Sequence, residues 1–287
     1  MSDFVPGRPH WWQWPTVLSL DAPAVALAWQ WLMARTAGAA LAPHHAFILA
    51  AAVWLVYAAD RWIEGFLVAP GTMLTQRHDF YQRHRRPIAV IWVVMLLAGG
   101  GTALRCLDLR EIAAGLLLLV PVLLYLLSHQ LLHRHHPWRI PKELCVAVLF
   151  AAGTACFSLV RVPEAAARLA VPLLLFGLLC FANCALISLW EDEVDRAHGR
   201  TSLALQFPRA RGLVHGLPWI IALLGAGFVW IGHANQREAV LCGLAAGLLL
   251  GGVDLLHRHT GRQVARVLAD LVLLTPLVPW LASRGRF

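Results

Sequence analysis

The stretch that decides the fold is Trp54–Pro87, WLVYAADRWIEGFLVAPGTMLTQRHDFYQRHRRP. An apolar helical run ends in Asp60, Arg61 and Glu64, and the chain then becomes dense in arginine and histidine. Its counterpart is Asn183–Arg200, NCALISLWEDEVDRAHGR, where another apolar run ends in Glu191, Asp192, Glu193 and Asp195. Each stretch carries an acidic pair four residues apart, Asp60 with Glu64 and Glu191 with Asp195. On a helix that spacing puts both carboxylates on one face, about 6 Å apart. Carboxylates at the ends of apolar helices need partners, and a divalent cation with oxygen ligands is a natural one.

The rest of the chain supplies the apolar context. Of 287 residues, 59% are hydrophobic and only 14% charged, which excludes an ordinary soluble domain and predicts a multi-span helical membrane protein. Lys and Arg outnumber Asp and Glu, 24 to 16. In a membrane protein that excess reads as an orientation signal and an affinity for anionic lipid, not as nucleic-acid binding. Lys142 is the sole lysine. Arginine suits bidentate phosphate contacts, although a GC-rich genome gives the same bias. The six cysteines lie in or beside apolar runs without a C-x-x-C, so neither a disulfide framework nor a zinc site is expected. MSDFVPGRPHWWQWP lacks the positive start and apolar core of a signal peptide. Residues 1–20 read instead as an interfacial arm, with Trp11, Trp12 and Trp14 at headgroup depth.

Nine spans are predicted, near 21–40, 45–64, 87–104, 111–132, 142–159, 168–195, 213–231, 238–256 and 264–281. Each approaches the ~20 residues that cross a bilayer. With nine spans, sixteen basic residues fall on the face that carries both acidic motifs and eight on the other. The positive-inside rule then puts the N-terminus and the motifs in the cytoplasm and the C-terminus in the periplasm. The expectation is one transmembrane domain over 1–287 in a bacterial inner membrane, with cytoplasmic motif loops at 61–87 and 191–212.

Two acidic helix ends under basic loops suggest a chemistry. Magnesium commonly bridges carboxylates to substrate phosphates. Ion and arginines together would grip a diphosphate and make it a better leaving group. An apolar cavity between helices would suit an isoprenoid tail.

These residues resemble the UbiA superfamily of intramembrane prenyltransferases, all-α proteins of nine transmembrane helices with aspartate-rich motifs on helices 2 and 6. Asp60-Arg61-Trp62-Ile63-Glu64-Gly65 is similar to the second half of the family's first motif, and Arg86-Pro87 to its closing Arg-Pro. Glu191 to Asp195, followed by Gly199, Thr201, Ser202 and Leu203, resembles the second. Asn183, Lys142 and Asp21-Ala22-Pro23 also resemble family positions. The family's leading Asn-Asp falls on Val56-Tyr57, and Glu64 and Glu191 stand where aspartate is usual. The resemblance implies Mg²⁺ at Asp60, Glu64, Glu191 and Asp195, with Asp192 as a substitute ligand. It implies a diphosphate held by Arg77, Arg83, Lys142, Arg196 and Arg200, with Tyr57 and Asn183 beside the substrate. The substrates implied are a polyprenyl diphosphate and an aromatic or lipid-pathway acceptor.

Other readings compete. A catalytically degenerate relative would bind an isoprenoid or lipid without chemistry, as the missing Asn-Asp suggests. Topology alone explains the loop arginines, and Lys142 can snorkel from a helix end. Asp21 reads as a helix cap, and Asp254 and Asp270 as partners of Arg258 or Arg266. His129, His133, His135 and His136 have the spacing of a metal box in membrane oxygenases and desaturases, but no second box matches them.

Overall fold

Apolar runs of about twenty residues, punctuated by proline, glycine and charge, become helices packed around one central helix. The computed structural model describes residues 9–67, 76–128, 141–197 and 202–284, excepting the side chains of 64–67, 78, 194, 195 and 197. The described elements are all helical. They are α1 (Trp14–Val17), α2 (Asp21–Ala37), α3 (Pro43–Leu67), α4 (Gln76–Arg83), α5 (Arg85–Cys106), α6 (Leu109–Leu127) and α7 (Lys142–Arg161). There follow α8 (Ala166–Trp190), α9 (Asp192–Ala197), α10 (Leu203–Gln206), α11 (Arg211–Ile231), α12 (Arg237–Thr260), α13 (Arg262–Leu271) and α14 (Leu277–Arg284).

Among the described residues seven helices are long and apolar enough to cross a membrane, and two bent pairs raise the count to nine. The first pair is the α1 segment with α2, bent by 76°; the second is α13 with α14, bent by 47°. The nine predicted spans thus correspond to α2, α3, α5, α6, α7, α8, α11, α12 and the α13–α14 pair. The chain is an integral membrane protein. The stretch 61–87 differs from the expected loop, because α3 continues to Leu67 and α4 and the start of α5 occupy 76–87. In 191–212, α9 and α10 likewise replace open loop.

Local chemistry accounts for the ends. Gly38 adopts φ 71°, and its N–H and that of Ala39 bond back to Arg35 and Ala34, closing α2. Asp108 caps α6, accepting from the N–H groups of Arg110 and Glu111, while Glu111 accepts from the Asp108 N–H. The helix therefore begins two residues before its predicted start.

Helix α8 is the hub, packed against α2, α7, α11, α12 and α13. Leu169, Leu175, Phe176, Leu179 and Leu186 are fully buried on it. Trp29 of α2 stacks on Phe176 with ring centroids 4.1 Å apart. The Trp29 indole N–H donates to the Leu273 carbonyl at 2.8 Å, satisfying a main-chain group at the α13–α14 break. Helices α11 and α12 cross closely, with Gly247 against Pro218 and Ala222. By contrast α5 packs on α3, α6 packs on α7, and both leave most of their surface to lipid. The outcome is a bundle whose motif-bearing helices, α3 and α8, both end on the same side.

Candidate functional site

That side holds a cavity of about 200 Å³. Six of the residues singled out from sequence line it: Tyr57, Asp60, Arg77, Lys142, Asn183 and Glu191. They come from α3, α4, α7 and α8, and from the turn after α8. Helix direction orders the wall. Asp60, Lys142, Glu191 and Arg266 sit at the end of the bundle. Val25, Val56, Phe150, Cys180 and Leu273, one to three turns further into their helices, make the deeper wall mainly apolar, with the hydrogen-bonded Asn183 and Asp270 as its polar members. The cavity is amphiphilic along its length.

Glu191 is the electrostatic centre. Arg77 Nη2 donates to its Oε2 at 3.3 Å and Arg266 Nη1 donates to its Oε1 at 2.5 Å. All three side chains are under one-fifth exposed. Helix α8 ends at Trp190, Glu191 lies in a turn, and α9 restarts at Asp192. Glu191 and Asp195 are therefore not on one continuous helix, contrary to the reading of the i, i+4 spacing. The four acids repel one another, and arginines from different helices hold three of them: Glu191 by Arg77 and Arg266, Asp192 by Arg211 at 2.5 Å, and Glu193 by Arg262 at 3.0 Å. Asp60 and Glu64 do share the continuous helix α3.

Other candidates lie elsewhere. Arg83 pairs with Asp79 at 2.8 Å, and its side chain is 66% exposed. Arg196 lies 3.9 Å from Asp192 and is similarly exposed. Neither these arginines nor Asp192 lines the cavity. The side chains of Glu64 and Asp195, and Arg200 altogether, lie outside the described residues, as do His129, His133, His135 and His136. The N-cap of α2 is Leu20; Asp21 is the first helical residue, accepts from the Ala22 N–H at 2.9 Å and also lines the cavity. Asp270 is not held by Arg266; the Asn183 side-chain amide donates to it at 3.0 Å, and it meets the carboxyl of Asp21. Asp254, not partnered by Arg258, accepts from the Trp190 indole at 3.1 Å and bonds His215 at 2.7 Å.

Sequence reasoning missed Arg61, Glu143, Arg266 and Tyr125 as lining residues, and discounted Asp21 and Asp270. A signal for two of them existed. Arg262, Arg266 and Asp270 recur every four residues along α13, a charged stripe that in a membrane span faces protein or water, not lipid. Glu143 has no comparable signature. It is buried, and its Oε1 accepts from the Leu203 N–H at 3.1 Å, tying the start of α7 to α10.

Tyr81 of α4 steadies the element that carries Arg77. Its hydroxyl donates to Ser19 Oγ at 3.1 Å, and Ser19 takes a left-handed φ of 56° between α1 and α2. Burial pushes the Tyr81 hydroxyl above its ordinary value, opposed by the Ser19 hydrogen bond and the Arg61 charge.

The wall carries five carboxyl side chains (Asp21, Asp60, Glu143, Glu191, Asp270) against four basic ones (Arg61, Arg77, Lys142, Arg266). Among the described residues no three His, Cys, Asp or Glu side chains are placed to hold one metal ion. Magnesium needs only one or two protein carboxylates when water and substrate phosphates complete its shell. The oxygen donors at the mouth fit that mode better than a protein-only cage.

The apo structure of a UbiA homolog from Aeropyrum pernix K1 superposes on this chain with a TM-score of 0.60. The match covers 92% of this chain and 98% of that one at 13% identity. No family model matches the sequence, and no curated protein does. The architecture is thus the fold of that UbiA homolog, carried by a membrane protein of very different sequence.

Proposed function

We propose that this chain is a UbiA-like membrane prenyltransferase, moving a polyprenyl group from its diphosphate to an aromatic or lipid-pathway acceptor with Mg²⁺. The observation that carries the reading is the amphiphilic cavity, charged at the end of the bundle and apolar within. A diphosphate belongs at the charged end and the first isoprene units against Val25, Phe150 and Leu273. A volume of about 200 Å³ is below the ~300 Å³ at which sites begin to enclose a whole drug-sized ligand. A long prenyl chain would therefore extend beyond it.

Arg77 and Lys142 orient the diphosphate oxygens, Arg77 offering a planar fork and Lys142 a point charge. Asp60, with Glu64 and Asp195, is the candidate holder of Mg²⁺; Asp192 is engaged by Arg211. Bound there, the ion supplies charge neutralisation of the leaving diphosphate. Magnesium would add positive charge to a wall that sets five carboxyls against four basic side chains, and so favour a polyanion there. Tyr57 and Phe150, edge to face at 6.5 Å, give the deeper wall aromatic surface suited to an allylic cation. The apolar lining keeps water from quenching it.

A second reading is a relative that binds a prenyl lipid without chemistry. It is favoured by the engagement of both Glu191 oxygens with arginines. One assay separates the two: pyrophosphate release from geranylgeranyl diphosphate by the protein in nanodiscs, with Mg²⁺ and a panel of aromatic acceptors. Release abolished by chelator, Asp60→Asn and Lys142→Gln is the expected result. Retained prenyl diphosphate binding without release would overturn the enzymatic reading in favour of the second.

A further inference from the structure

We propose that Glu191 is an exchangeable counter-ion: its carboxylate occupies an anion site built by Arg77 and Arg266, and a diphosphate enters by displacing it. The inference rests on the cavity being a diphosphate site, and it assigns Arg266 of α13 to that site.

The geometry is that of a clamp. Arg77 comes from α4 and Arg266 from α13, elements far apart in sequence, and each donates to a different oxygen of one carboxylate. The clamp holds that carboxylate at the mouth of the cavity. A second feature points to a larger ligand: the buried Nε of Arg266 has no hydrogen-bond partner among the described residues. A carboxylate offers two oxygens and one charge, whereas a diphosphate offers more of both, so it can engage the clamp and the unmade Arg266 donor together. Glu191 is suited to leave. It lies in a turn between α8 and α9, where a small backbone rotation moves the side chain without unwinding a helix. Its side chain reaches both arginines from that turn. While clamped, its oxygens are unavailable to a metal; once displaced, they are released at the mouth of the cavity.

The test is binding without metal. The full chain in nanodiscs, with chelator present, is titrated calorimetrically with inorganic pyrophosphate and separately with a non-cleavable geranylgeranyl thiolodiphosphate. Glu191→Gln removes the competing charge and should tighten pyrophosphate about tenfold, while Arg266→Gln should weaken it about tenfold or more. Arg262→Gln, whose residue pairs with exposed Glu193, should leave binding unchanged. If Arg266→Gln does not fold, the double variant Glu191→Gln/Arg266→Gln keeps the local charge balance and should bind about tenfold more weakly than Glu191→Gln. Glu191→Gln binding no tighter than the unaltered chain, or either Arg266 variant binding as tightly as its parent, overturns the clamp. So does absence of pyrophosphate binding in every form. Tight binding of both ligands that follows this pattern, without prenyl release, would refute prenyl transfer and leave the clamp standing. Prenyl release that ignores Arg266→Gln would do the reverse. Thiolodiphosphate binding that follows the pattern with pyrophosphate binding that does not would refute the displacement by diphosphate alone.

Discussion

Replacing Glu111 with glutamine tests how the end of the bundle opposite the cavity is held. Glu111 is fully buried at the start of α6. Its Oε1 receives His45 Nε2 at 3.0 Å and Arg161 Nε at 2.7 Å, and its Oε2 accepts from the Asp108 N–H at 3.1 Å. One side chain thus joins α3, α6 and α7. Glutamine matches the shape but must turn its NH₂ toward one set of donors. The better orientation keeps oxygen on His45 and Arg161 and sets NH₂ against the Asp108 N–H. That orientation loses one hydrogen bond, worth ~1 kcal/mol, and the charge assistance of two more, another ~1 kcal/mol each. The sum of about 3 kcal/mol lies at the low end of the ~3–5 kcal/mol for breaking a buried ion pair, as suits Arg161 being 38% exposed. For a chain of this length that is a fall of ~6 °C in Tm, read by thermal unfolding in one detergent. Arg161→Gln alone should cost less, and the double variant should fall short of the sum by at least ~1 kcal/mol because the partners are coupled. A Glu111→Gln shift under ~1 °C, or strict additivity with Arg161→Gln, would refute the reasoning.

Gly247→Ala should destabilise the α11–α12 crossing by about 1–3 kcal/mol, because its Cβ would fall 3.0 Å from the Pro218 carbonyl oxygen and 3.1 Å from the Ala222 nitrogen. Gly252→Ala, whose Cβ meets nothing within 4 Å, is the control and should be neutral in the same melt. Tyr81 keeps its proton to higher pH in the folded chain than in the unfolded one. Its contribution is therefore complete below pH ~10 and declines as pH rises toward the raised folded value. Tyr81→Phe should remove that part of the alkaline slope in Tm. Cys106 is exposed at the end of α5 opposite the cavity, whereas Cys180 and Cys242 are buried. With the N-terminus cytoplasmic, a membrane-impermeant maleimide should label Cys106 in intact spheroplasts; labelling only after permeabilisation would reverse the orientation.

The fold was legible because membrane helices write their constraints locally. A span must be long, apolar and internally hydrogen-bonded, and each requirement is visible residue by residue. What escaped reading was decided across elements. Asp108-Leu-Arg-Glu111 is a capping box that local sequence displays, yet the third and fourth bonds of Glu111, to His45 and Arg161, join residues 66 and 50 positions away. The bends also resist pattern reading. The α13–α14 span passes as one apolar segment, but Pro276 divides it and the buried Trp29 indole compensates the break from α2.

The acidic cluster at 191–195 shows the limit most sharply. Spacing says that Glu191 and Asp195 share a face if the helix continues, and the apolar run before them gives no reason for it to stop. The partners come from outside: Arg77 and Arg266 hold Glu191, Arg211 holds Asp192 and Arg262 holds Glu193, from α4, α11 and α13. The break at Glu191 lets three neighbouring carboxylates reach arginines on three separate helices. The same competition separates the acids by role. Asp192 and Glu193 are drawn outward to more exposed arginines, and Glu191 is the one described side chain of the cluster that lines the cavity. Among its described side chains, a motif read as a set of equivalent metal ligands is thereby divided into two outward ion pairs and one inward carboxylate. Which of the acids can meet a diphosphate is then set by the positions of the arginines, and Arg266 and Glu191 are where substitutions should be felt first.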